Sequence, residues 1–208
     1  MEYYDKTKKP FWDVEENIGF VNVRAWDGNN YKVWNQEPDD GSGPELIQSV
    51  ADTLANVRRD INILLQFLIK NPDLWFNDPI AWGIIHTLDL HSPGWTPEKI
   101  GNGSIFNYQE MTPNDHGILG LNKPKVIETV KVNGKDYEIG VKRSIFLTIR
   151  NKKMDKIDPY KKILDLAIHE LTHTTCNDCR WKPDNHMKPY PQYHSFMREC
   201  CKKCGIFK

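Results

Sequence analysis

The chain has 208 residues, of which 39% are hydrophobic and 27% charged, and its 28 basic and 28 acidic residues cancel. That size and mix suit one sizeable domain with its own core, and exclude a collagen, a coiled-coil rod and a disordered polymer. Zero net charge gives no global field for nucleic acid. Residues 1–9 are polar, and the longest apolar run, 61–69, is too short for a bilayer, so the expectation is a soluble, intracellular protein without a membrane partner.

Residues 18–34 read as a hairpin. Val21, Val23 and Ala25 alternate with Asn22 and Arg24, and the turn falls at Asp27-Gly28-Asn29-Asn30. A polar breaker, 37–43, precedes Pro44. From 44 to 71 the apolar residues Ile47, Val50, Ala51, Leu54, Val57, Ile61, Leu64, Leu65 and Leu68 keep a 3.6-residue period. This predicts a long amphipathic helix, ended by Asn71-Pro72. Residues 72–124 are rich in Pro, Gly and Asn and read as irregular, with one short helix over 80–88. Trp82, His86, His91 and Trp95 in this stretch read as ordinary packing, and His116 carries no role.

Residues 125–150 read as antiparallel strands. Segments 126–132 and 135–141 flank Asn133-Gly134, a strong hairpin signal, and 144–150 is a third, more buried strand. Asp158-Pro159 then starts a helix, 160–174, that is apolar on most sides and belongs in a core. Lys152, Lys153, Lys156, Lys161 and Lys162 around its start read as a solvated surface rather than a phosphate contact. A last helix runs over 191–203, stopped by Gly205. Residues 1–43 are therefore expected as an N-terminal hairpin and extension, and 44–208 as the main domain.

Four of the seven histidines and all five cysteines lie in the last forty residues. His169-Glu170-Leu171-Thr172-His173 is an HExxH motif on the core helix. Residues i and i+4 share a helix face, so both imidazoles can reach one metal ion. Glu170, turned by about 100°, can touch a water at that ion and act as general base. The same string also arises as two surface histidines; here it sits in an apolar helix, where two imidazoles and a carboxylate need compensation. The cofactor expected is Zn2+, with an open position for catalysis.

The third ligand stays open. His186, in the loop before the last helix, is the first choice and His194 the fallback, with Cys179 and Glu199 behind them. Cys176 and Cys179 form one CxxC pair, and Cys201 and Cys204 a second, 21 residues later, with Cys200 left over. Three readings stand for them: a second, structural zinc, a disulfide, or free thiols.

The segment 144–206 contains SIFLTIR, a linker, HELTH and then PYPQYH before a Gly-Ile ending that Phe207 follows. It resembles the WLM and SprT-like zinc metallopeptidases, and is most similar to the short WLM-like proteins of large eukaryotic DNA viruses. Gly120-Leu121-Asn122-Lys123 and the 44–71 helix fit the same pattern. The resemblance implies an α+β, minimal zincin-like domain: a long N-terminal helix, a small antiparallel sheet, the HExxH helix and a C-terminal helix. It implies His169 and His173 as ligands and Glu170 as the catalytic residue. The family's third histidine falls on Pro189 here, with His186 the nearest histidine upstream.

It further implies a protein or peptide substrate, taken up beside an edge strand for which 144–150 is the candidate, and an indirect association with DNA through crosslinked protein. A viral origin would place the chain in host cytoplasm or virion. The expected activity is zinc-dependent peptide hydrolysis. The alternative is a catalytically silent, zinc-stabilised structural or virion protein whose site is closed by a fourth ligand such as Cys179. A weaker one is a DNA-associated recruiting protein.

Overall fold

The computed structural model describes residues 19–35, 43–76, 78–88, 96–102, 106–112, 119–125, 128–132, 135–139, 142–175 and 190–207. The order is β1 (Phe20–Arg24), β2 (Asn30–Trp34), α1 (Gly43–Lys70), α2 (Asp73–Phe76), α3 (Pro79–Thr87), α4 (Pro97–Asn102), β3 (Phe106–Glu110), β4 (Gly120–Lys125), β5 (Glu128–Val132), β6 (Lys135–Ile139), β7 (Lys142–Leu147), α5 (Tyr160–Thr175) and α6 (Tyr190–Lys203). The class is α+β, as expected. No helix among the described residues is long and apolar enough to cross a membrane.

The apolar stripe read from the sequence is the buried stripe of α1: Val50, Ala51, Leu54, Val57, Ile61, Leu64, Leu65 and Leu68 are essentially inaccessible. The Asn71 amide closes the helix by donating to the Phe67 carbonyl at 2.7 Å. At the other end of the chain, Gly205 takes φ +80°, and Ile206 N–H reaches back to Cys201 O at 2.9 Å. That left-handed cap is why α6 stops where it does.

Five strands form one mixed sheet in the order β1-β2-β3-β7-β4. β1 and β2 are the antiparallel hairpin, β2–β3 and β3–β7 are parallel, and β7–β4 is antiparallel. The hairpin thus shares a sheet with the rest of the chain. α1 packs on β1, β2 and β3, α5 packs on β7 and β4, and the two helices touch. Alternate strand residues (Tyr31 and Val33, Phe106 and Tyr108, Ile145 and Leu147) face one apolar core shared with both helices and α6.

Four expectations need correction. The sheet is mixed rather than antiparallel, because β3 pairs in parallel with both β2 and β7. The 144–150 strand does not continue the neighbouring hairpin: among the described residues β5 and β6 pair only with each other, and β7 lies between β3 and β4. Nor is it an edge; the edges are β1 and β4. And residues 72–124 contain α2, α4, β3 and β4 besides the expected short helix α3. β3 is short and polar on one face, and β4 carries a Gly and a Pro, a composition suited to an edge but weak as a strand signal. The turn at 133–134 lies outside the described residues.

One polar cluster is fully enclosed. Arg150 Nε donates to Glu110 Oε1 at 2.9 Å and Nη2 to Oε2 at 3.0 Å, both side chains being inaccessible. Nη2 also donates to the Trp34 carbonyl, while Trp34 N–H donates to Glu110 Oε2 at 2.8 Å. Burial pushes the Glu110 carboxyl up, and the Arg150 charge and the Trp34 N–H pull it back. The cluster joins the ends of β2 and β3 to the segment after β7.

Candidate metal centre

α5 is built to be a core helix. Ile163, Leu164, Ala167, Ile168 and Leu171 are buried, and Ile163, Ala167, Ile168 and Leu171 join the main apolar core. The next positions therefore project from a helix fixed on the sheet. His169 and His173, one turn apart, aim the same ring nitrogen at the same place: their Nε2 atoms are 3.1 Å apart, with the rings at 75°. Without a metal, this approach is a hydrogen bond from one neutral imidazole to the other. It is also close to the ~3.3 Å between two nitrogens held tetrahedrally at Zn–N distances of about 2.0–2.1 Å. The two histidines therefore fit a zinc ion as half of its ligand set.

Glu170 is 6% exposed. Burial alone pushes its carboxyl up to about 8. Its backbone carbonyl accepts a hydrogen bond from Asn122 Nδ2 on β4 at 2.7 Å. Its carboxylate lies against Gly120 of the same strand, where a Cβ would fall 2.6 Å from Oε1.

α6 supplies the opposite wall. Tyr190, buried, donates its hydroxyl to the His169 carbonyl at 3.1 Å. Its ring lies 4.6 Å from that of His173 and 5.3 Å from that of His169. Burial, reinforced by the Glu170 carboxylate, pushes the Tyr190 phenol up, so it stays a donor. His194, one turn on, stacks on Tyr190 at 5.7 Å and lies 5.8 Å from His169.

The sequence candidates for the third ligand separate as follows. His194 is brought beside the pair. Glu199 is not: its carboxylate is exposed and paired with Lys202 Nζ at 2.8 Å. His186 and Cys179 lie outside the described residues, as do Cys176, His91, Trp95 and His116. Among the described residues no group of three His, Cys, Asp or Glu side chains is arranged to hold a metal ion.

Cys200, Cys201 and Cys204 carry free thiols. Cys201 lies in the apolar core, and Cys204 Sγ donates weakly to its carbonyl at 3.5 Å. Burial pushes Cys200 up to about 12 and raises Cys201 and Cys204 as well.

Gly120, Asn122 and Tyr190 were not singled out for the site by sequence reasoning. Only the GLNK stretch and the PYPQYH stretch gave any signal there. Set against family models, curated proteins and solved structures, the chain matches none.

Proposed function

We propose that this chain is a zinc-dependent endopeptidase of the WLM/SprT-like, zincin type. The observation that carries the reading is the pair of converging nitrogens, His169 and His173 Nε2 at 3.1 Å, beside the buried Glu170 on the same core helix. His169 and His173 would hold the ion, with His186 as third ligand and His194 as its fallback. A bound zinc ion supplies polarisation of a peptide carbonyl and acidifies a bound water.

The chain's own residues do the rest. Glu170 accepts a proton from the attacking water and returns it to the leaving amine. Burial pushes its carboxyl up to about 8 in the metal-free chain, and a cation at the histidine pair would lower it and free the carboxylate to accept that proton. The Tyr190 hydroxyl, on the His169 carbonyl, fixes the backbone of the ligand helix. β4, as the edge strand nearest Glu170, offers an extended substrate its open backbone groups.

The test is bound zinc and cleavage of an unstructured protein substrate, measured on the wild type and on Glu170→Gln. The expected result is zinc in both and cleavage only in the wild type. Zinc retained with undiminished cleavage in the variant would overturn the role of Glu170. A wild type that binds no zinc would overturn the class.

A further inference from the structure

Two residues on one face of β4, two positions apart, meet Glu170 on α5. Gly120 pairs with Leu147 and Asn122 with Ile145, both buried members of β7. Asn122 Nδ2 reaches the Glu170 carbonyl at 2.7 Å. That carbonyl lies inside a helix and is already turned to its own helical bond, so Asn122 uses its second lone pair. The bond fixes the height of residue 170 along the strand. Gly120 fixes the other end of the same residue. A Cβ there would lie 2.6 Å from Glu170 Oε1, 2.9 Å from Cγ and 3.0 Å from Cδ. The space that any side chain at 120 would fill is the space the carboxylate occupies. No positive φ explains this glycine; the need is for room.

We infer that Gly120 and Asn122 are positioning residues for Glu170, seating its carboxylate against the backbone of the edge strand. The role rests on the peptidase reading for its catalytic consequence, but the contact stands on geometry alone. The three atoms nearest a methyl at 120 all belong to the Glu170 side chain. The fold absorbs the methyl by moving the carboxylate. Displacing a reacting group by about 1 Å costs about a hundredfold in rate. The damage therefore falls on turnover, while binding of substrate and metal is spared.

Two measurements on the full chain test this. The first is a thermal-unfolding cycle over Gly120→Ala, Glu170→Ala and the double variant. Gly120→Ala is expected to lower the midpoint by about 5 °C where Glu170 is present, in line with modest overpacking. In the Glu170→Ala background the same change is expected to cost nothing. Equal cost in both backgrounds overturns the inference.

The second is steady-state cleavage with bound zinc measured in parallel. Gly120→Ala and Asn122→Ala are each expected to lower kcat about a hundredfold or tenfold respectively, with KM and zinc content near wild type. Unchanged kcat in Gly120→Ala overturns the inference, as does a fall that only tracks lost zinc or raised KM. A wild type that shows the coupling but cleaves no peptide overturns the peptidase reading and leaves the positioning supported.

Discussion

Glu110 and Glu170 are both buried, and the chain treats them in opposite ways. Glu110 is met by a guanidinium on both oxygens and by a backbone N–H. Its desolvation is offset within the protein. Glu170 has its backbone tied down and its carboxylate seated against a glycine, and the one cause acting on its proton affinity is burial. A carboxyl left in that condition takes up a proton from solvent below about pH 8, and gives it up at neutral pH only where a cation sits beside it. The difference separates a glutamate that holds the sheet together from the one we propose as the general base.

The largest effect that would break this comparison is on activity. Glu170→Gln should lower kcat by about 10³-fold, within the range for a lost general base, whereas Glu110→Gln should change kcat little in whatever protein remains folded. Steady-state cleavage of both variants checks this. Next comes stability. Arg150→Met strands the Glu110 charge and should cost about 3–5 kcal/mol in denaturant unfolding, while the double variant Glu110→Leu/Arg150→Met should recover most of it. A double variant as unstable as the single one would show that the pair supplies more than mutual compensation.

A third prediction concerns pH. Glu170 carries a folded value near 8 against an ordinary 4.5, so the folded state binds the extra proton across that window. By linkage, this group's contribution to stability is full below about 4.5 and is lost as pH rises towards 8. In protein stripped with a chelator, the unfolding midpoint should fall between pH 5 and 8, and Glu170→Gln should flatten that fall. Parallel slopes in both would remove Glu170 as its source. The smallest effect is expected at the exposed Glu199–Lys202 pair, where Lys202→Ala should leave the midpoint unchanged within error.

The helices were the legible part of the fold. α1, α5 and α6 announce themselves through apolar period and through Asn71-Pro72, Asp158-Pro159 and Gly205, all local signals. The hairpins β1–β2 and β5–β6 are local too. Strand order was hidden, because parallel pairing of β3 with β2 and β7 links segments far apart in sequence, and β4, with its Gly and Pro, reads as a loop. The site shows the same division. An i, i+4 spacing on a helix puts His169 beside His173 whatever the rest of the chain does. Asn122 reaches Glu170 across 48 residues and Tyr190 reaches His169 across 21, and neither contact has a local signature.

The Trp34–Glu110–Arg150 cluster also sets an order of events during synthesis. The β1–β2 hairpin and α1 need only neighbouring residues and can form early. The carbonyl of Trp34 waits for a guanidinium 116 residues later, and Glu110 waits 40 residues for the same group. Until Arg150 has emerged, β2 and β3 lack the group that neutralises their shared carboxylate, and β3 lacks its neighbour β7. Completion of the sheet is therefore a long-range step that waits for residues 142–150. A ribosome-bound chain ending before residue 150 should expose β3 to proteases that the finished protein resists.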